Sequence, residues 1–257
     1  FKPAHFPIQT MKDYQSPADL LKNRVILVTG AGQGLGKAAA LSFAKHGATV
    51  ILHGRKVDKL EAVYDEIEKA GYPRAVIFPL DLETANSKDF EVLAQAIQSQ
   101  LGRLDGILHN AAHLEGLSPL AQQSLEQWLK VLRVNLAAPF ALNRACLSLL
   151  KAAADASVIV TCETHGHKPK AYWGGFAVAK SALESYLKIQ AEEWEMLPSL
   201  RINGVIPGPV ASPQRAKTHP GETKDKLPKP EDLMPLYLFL MGPASQGLSG
   251  RILNCQE

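Results

Sequence analysis

Cysteine is scarce in this chain: Cys146, Cys162 and Cys255 stand scattered through 257 residues, with no CxxC pair and no metal-ligand spacing. An odd, dispersed trio excludes a disulfide framework and a zinc site as the basis of the fold, and it fits a reducing cytosol. Long apolar runs are missing too. No stretch approaches the roughly 18 residues needed to cross a bilayer, and the amino end carries no apolar signal core. Charge of one sign is equally absent: 28 Lys and Arg against 25 Asp and Glu leave a net charge of +3. Without a basic stripe there is no nucleic-acid footprint. The expectation is a cytoplasmic protein with no membrane, nucleic-acid or metal partner.

What is present is an ordinary composition, 46% hydrophobic and 21% charged, at a length that one α/β domain with a large core accounts for. The chain is organised around Thr29 to Gly36, TGAGQGLG, which lies between the apolar run from Val25 to Val28 and a helix-forming run from Lys37. Gly30 permits a turn that a Cβ would obstruct, Gly34 lets backbone approach a pyrophosphate, and Gly36 lets the new helix pack closely. The helix amino end then offers free N–H groups to phosphates. A second strand about 20 residues on completes the order that a dinucleotide-binding βαβ unit requires.

Residues 1–20, with three prolines and no periodicity, read as an arm lying over the body or partly disordered, and Met11 is a candidate natural start. The domain proper spans 21–257. Strands are expected over Arg24–Val28, Thr49–His53, Ala75–Leu80, Gly106–His109, Ser157–Thr161, Arg201–Val205 and Arg251–Asn254. Helices are expected after the glycine loop to His46, from a cap at Asp58 to Gly71, across Phe90, Leu93, Ile97 and Leu101, from Gly174 to Trp194, and from Asp232 to Met241. A further long helix opens at Leu125, carries Asn135 and must bend or break near Pro139. This alternation indicates an α/β single-domain Rossmann fold, a doubly wound parallel sheet of about seven strands. The segment 212–230 lacks apolar periodicity and lies past a strand's carboxyl end, which suits a substrate lid.

In this order the motifs resemble the short-chain dehydrogenase/reductase family, most closely its YciK-like bacterial subgroup. The matching pieces are the glycine loop, Asp81-Leu82, His109-Asn110-Ala111-Ala112 where the family has Asn-Asn-Ala-Gly, Asn135, Lys180, and Pro207-Gly208-Pro209-Val210-Ala211-Ser212. The resemblance implies hydride exchange between a nicotinamide cofactor and the carbonyl or alcohol of a small-molecule substrate. It implies a cofactor site made of Gly30, Gly32, Gln33, Gly34, Leu35, Gly36, Arg55, Asp81, Leu82, Asn110, Ala111, Ala112, Lys180, Pro207, Gly208, Val210 and Ser212. In that site Asp81 and Leu82 would border the adenine, Asn110 would hold the fourth strand beside the cofactor, and Lys180 would bind the nicotinamide ribose. Asn135 would support a water leading to the lysine. A homodimer or homotetramer built on the two long helices is implied as well.

Two features are particular to this chain. Where a ribose-binding carboxylate would end the second strand stand Gly54 and Arg55, so no acid awaits a 2′-hydroxyl and a guanidinium awaits a 2′-phosphate; NADP(H) is preferred over NAD(H). In the family a tyrosine four residues before the lysine is the general acid/base and a serine thirteen residues earlier binds the substrate oxygen, but those positions hold Phe176 and Glu163. Losing the acid costs roughly 10²- to 10⁴-fold. Two readings follow: an oxidoreductase whose proton comes from Glu163, Tyr172, His165, His167 or a water held by Asn135 and Lys180, or a dinucleotide-binding module without turnover. An ion pair between Glu163 and Lys180 is expected in either case.

Overall fold

A computed structural model describes residues 11–256. Seven strands form one parallel sheet: β1 (Val25–Thr29), β2 (Thr49–Gly54), β3 (Val76–Pro79), β4 (Gly106–His109), β5 (Ala156–Thr161), β6 (Leu200–Ile206) and β7 (Ile252–Asn254), in the order β3-β2-β1-β4-β5-β6-β7. β1, β4, β5 and β6 are buried along their whole length, as strands covered on both faces must be.

The helices are α1 (Gly34–Lys45), α2 (Val57–Lys69), α3 (Ser87–Leu101), α4 (Leu125–Leu132), α5 (Ala138–Ala152), α6 (Thr164–His167), α7 (Gly174–Glu193), α8 (Pro213–Thr218) and α9 (Met234–Met241). Two cores result. On one face α1, α2 and α9 bury Phe43, Leu60, Ile67, Tyr237 and Leu240 against Ile26, Val28 and Ile159. On the other, α3, α5 and α7 bury Leu93, Leu142, Cys146 and Leu187 against Leu27, Ile107 and Val158. Alternate residues of each central strand feed opposite cores, the period-two signature of the pleat.

Several expected boundaries are corrected. β1 starts at Val25, because the Arg24 N–H closes a turn on Leu21 O while its carbonyl already accepts from Thr49 N of β2. Asp58 does not cap α2: Lys56 holds the cap position without a side-chain bond, and Asp58 lies in the first turn, where it favours the helix dipole. The break near Pro139 is a π-helical segment, Arg133–Ala137, that separates α4 from α5 and carries Asn135; Pro139 sits in the first turn of α5, where its missing N–H is tolerated. The aperiodic segment is not structureless. It holds α8 and a 3₁₀ turn at Lys224–Lys226, while another turn at Pro230–Leu233 moves the start of α9 to Met234.

Of the expected arm, residues 1–10 lie outside the described residues, and the remainder lies on the body: Met11 is buried and Tyr14 packs edge-on against Phe239. No helix among the described residues is long and apolar enough to cross a membrane.

The glycine loop explains the join of β1 to α1. Gly30 has φ +67°, and a Cβ there would lie 3.0 Å from Ala111 Cα. A Cβ on Gly36 would lie 2.1 Å from the Gly30 carbonyl oxygen and 2.6 Å from Asn110 Nδ2, so this glycine packs against the loop and the end of β4. Gly36→Ala is therefore expected to lower the thermal midpoint by at least about 2 °C, since forced overpacking costs about 1–3 kcal/mol. An unchanged midpoint in calorimetry would mean the loop yields freely.

Candidate active site

The carboxyl ends of β1, β2, β4, β5 and β6 open onto one cleft of about 580 Å³. Gly30, Gly32, Gln33, Gly34 and Leu35 form its floor, and Arg55, Asp81, Leu82, Asn110, Ala111, Ala112, Pro207, Gly208, Val210 and Ser212 line it with Lys180, Phe176 and Glu163. Gly36 lies beneath the loop and does not line the cleft. Thr29 ties loop to sheet: its Oγ1 accepts from the backbone N–H groups of Asn110 and Ala111, each at 3.0 Å, and donates to Leu108 O at 3.3 Å. Above the loop, Ser212 caps α8, and Pro213 Cδ would be 3.5 Å from a Cβ on Gly34.

At one end of the cleft the groups are cationic. Arg55, 52% exposed, stands 3.9 Å from Glu83, with Lys56 and Lys59 on the same wall; Lys59 donates to Gln33. Glu83 also meets Lys130 at 3.2 Å, and Lys130 meets Glu115, which holds His113 Nε2 at 2.7 Å. Asp81 borders this end and accepts from Glu83 N at 3.0 Å, so the turn-capping role and the position beside the cleft coincide. Beneath it lie two buried imidazoles. Burial pulls His53 down to about 4, and neither ring nitrogen has a hydrogen-bond partner among the described residues. His109 is likewise pulled to about 4 by burial, partly opposed by its 2.7 Å bond to Asn143. Both are neutral at neutral pH.

At the other end stands Lys180, 3% exposed, whose Nζ donates to Thr161 O at 2.8 Å and lies 5.8 Å from the centre of the Phe176 ring. Burial draws its pKa below the usual lysine range, with Cys162 and Glu163 pulling the other way. Here the expected Glu163–Lys180 ion pair is corrected. Among the described residues Glu163 instead pairs with His165, whose Nδ1 is 3.3 Å from its Oε1, because the short α6 turns His165 back towards the glutamate. His165 lines the cleft and is mostly covered, its ring stacked on Trp173 at 3.8 Å and 11°.

Other expected groups do not converge. Tyr172 precedes α7 with φ +74°, is 58% exposed and does not line the cleft. His167 turns outward to Glu184 at 3.0 Å. Asn135 is buried but spent on structure: Nδ2 donates to Val131 O and His113 O, each at 2.8 Å, and Oδ1 accepts from His113 N at 3.2 Å. It anchors the segment after β4.

Sequence reasoning missed Lys56, Lys59, His113, Trp173, Arg215 and His219 as cleft residues. Lys56 adjoins Arg55 and Lys59 lies four residues beyond it, so both were findable. Arg215 and His219 come from the aperiodic segment, where no pattern signals direction.

Whether these residues fit a dinucleotide can be tested on the loop itself. The cradle exists only because Gly30 and Gly36 lack side chains, Gly34 and Leu35 at the amino end of α1 line the cleft, and the volume lies within the usual range of roughly 300–1,000 Å³ for ligand pockets. They fit.

Comparison with known proteins agrees. Residues 24–223 match a family described as short chain dehydrogenase. The chain is 40% identical over 243 residues to the uncharacterized oxidoreductase YciK of Escherichia coli (strain K12), covering 95% of this chain and 96% of that one. A short chain dehydrogenase from Pseudomonas syringae superposes with a TM-score of 0.93 at 44% identity, covering 95% of this chain and 99% of that one. Another from Escherichia coli CFT073, solved with NADPH, gives 0.91 at 40% identity, covering 94% and 100%.

Proposed function

The chain belongs to the short-chain dehydrogenase family, and on that premise we propose that it is an NADP(H)-dependent oxidoreductase acting on a carbonyl/alcohol pair of a small molecule, with an altered active site in which Phe176 and Glu163 replace the usual tyrosine and serine. The observation that carries this reading is one continuous cleft with a glycine cradle at its floor, cations at one end and buried Lys180 at the other. The NADPH-bound relative from Escherichia coli supports the cofactor. Gly30, Gln33, Gly34 and Leu35 would hold the pyrophosphate, Arg55 with Lys56 and Lys59 the 2′-phosphate, Asp81 and Leu82 the adenine, and Lys180 the nicotinamide ribose. When bound, the cofactor supplies or accepts hydride; the protein must orient the substrate and manage the proton.

In this reading 212–230 is the lid. Lys217 donates to Leu114 O at 2.8 Å and so joins the lid to the segment after β4, while Arg215 grips Glu222 at 2.6 and 2.8 Å. Assembly as a homodimer or homotetramer belongs to the same reading, supported by exposed Leu125 and Leu129 on α4, Phe140 on α5, and Val178 and Ile189 on α7. A monomeric mass in solution would remove it.

Arg55→Ala tests cofactor choice. Charge-assisted hydrogen bonds to a phosphate contribute about 1.5–3 kcal/mol, so NADPH affinity is expected to fall about tenfold or more while NADH affinity holds. Equal losses in paired calorimetric titrations would overturn the preference. A protein that binds NADPH yet turns over no carbonyl or alcohol would instead be a dinucleotide-binding module.

A further inference from the structure

With the tyrosine absent, the proton of the reaction needs another source, and the position of α6 supplies one. α6 lies directly on α7: a Cβ on Gly166 would come within 2.6 Å of Lys180 Cβ. This contact sets His165, one residue earlier, at the same end of the cleft as Lys180 and Phe176. Its ring is fixed twice, by the stack on Trp173 at 3.8 Å and by Glu163 at 3.3 Å from Nδ1. Trp173 in turn packs against Phe176 at 6.1 Å, so His165, Trp173, Phe176 and Lys180 form a row along one wall. A carboxylate on one imidazole nitrogen selects the tautomer with the proton there and stabilises the imidazolium. Nε2 has no hydrogen-bond partner among the described residues and is the nitrogen left for a ligand.

We propose that His165 is the general acid/base of this enzyme, held in place by Glu163 as a positioning residue. The inference rests on the oxidoreductase reading and deepens it. In the reducing direction the substrate carbonyl carbon accepts hydride and the C=O π pair moves onto oxygen. The His165 Nε2–H bond breaks as the O–H bond of the alcohol forms, leaving neutral imidazole that regains its proton from water. Oxidation runs the same transfer backwards. Other charged and titratable groups at this end are engaged: Lys180 donates to Thr161 O, Arg215 pairs with Glu222, and His219 Nδ1 meets Thr218 Oγ1 at 2.8 Å. His167, which faces away from the cleft with its own glutamate, Glu184, is the natural control.

The test uses NADPH-dependent reduction of an activated 1,2-dicarbonyl by the full chain. His165→Gln is expected to lower kcat about 10²-fold with unchanged NADPH affinity, the low end of what a general acid contributes. Glu163→Gln is expected to lower kcat without changing NADPH affinity, while His167→Gln, at a ring turned outward to Glu184, leaves both in place. Wild-type rate and pH profile in His165→Gln would overturn the assignment and leave the oxidoreductase reading standing. NADPH binding by wild type without turnover on any carbonyl tested would overturn that reading and this inference with it. An independent measurement needs no turnover: in the ring ¹H–¹⁵N spectrum the neutral His165 ring should carry its proton on Nδ1, facing Glu163, and Glu163→Gln should remove that tautomer preference. An unchanged tautomer would show that Glu163 does not act on the imidazole.

Discussion

Replacing Asp155 with alanine is expected to lower the free energy of unfolding by about 3–5 kcal/mol, the usual cost of removing one partner from a buried ionic cluster. Asp155 lies just before β5 at the floor of the sheet, where its carboxylate bonds both Arg24 and Arg201. Arg201 is buried. It also donates to Ser245 Oγ at 2.9 Å and Gly242 O at 2.7 Å, and Arg24 donates to Asp155 O and Met241 O at 3.2 and 3.3 Å. The cluster therefore pins β5 and β6 to the end of α9, and alanine would leave two guanidiniums without their counter-charge. Burial alone would raise the Asp155 pKa, but Arg201 and Arg24 outweigh it and hold the carboxyl below its usual range. With the folded pKa below the unfolded one, this stability is present above the unfolded carboxylate range and is lost as pH falls through the folded value. Urea denaturation of both proteins at neutral and acidic pH checks both points: the gap should narrow in acid. A loss under about 1 kcal/mol at neutral pH would mean that solvent replaces the carboxylate.

Phe176→Tyr in a Glu163→Ser background is expected to raise NADPH-dependent reduction of an activated ketone at least about tenfold over the Glu163→Ser parent. Serine at 163 removes the partner of His165 and returns a hydroxyl donor beside the substrate oxygen. Tyrosine at 176 places a phenol one helical turn before Lys180, whose Nζ is already 5.8 Å from the ring centre. Phe176 is 2% exposed in a small cluster with Leu114, Val131, Trp173 and Ala179, so the added oxygen must find the cleft rather than this cluster. NADPH oxidation followed spectroscopically in parent and double variant decides the matter. No gain in a folded, NADPH-binding protein would show that the pocket has diverged beyond these two positions.

The framework was legible because it depends on local pattern. Runs such as Val25–Val28 and Gly106–His109 can only be doubly covered strands, and glycines at 30, 34 and 36 announce a turn that side chains would block. Boundaries slipped where a backbone group answered to a partner outside the ladder. Arg24 reads as a strand residue, but its N–H closes a turn on Leu21 O, while its side chain reaches Asp155, far along the chain.

The cleft divides in the same manner. The glycine loop and Arg55 stand at fixed offsets from strand ends and could be read from spacing, whereas Asp81, Asn110 and Lys180 were expected at the cleft from the family resemblance. The identities of Phe176 and Glu163, and therefore the departure from the usual chemistry, were also plain from the sequence alone. What the chain order could not give is direction. Glu163 turns to His165 rather than Lys180, Asn135 turns to the His113 backbone, and Tyr172 and His167 point away from the cleft. Side chains on a short helix or a loop are oriented by what packs over them, and here those contacts come from Trp173 and α7, which only the folded chain brings to the end of β5.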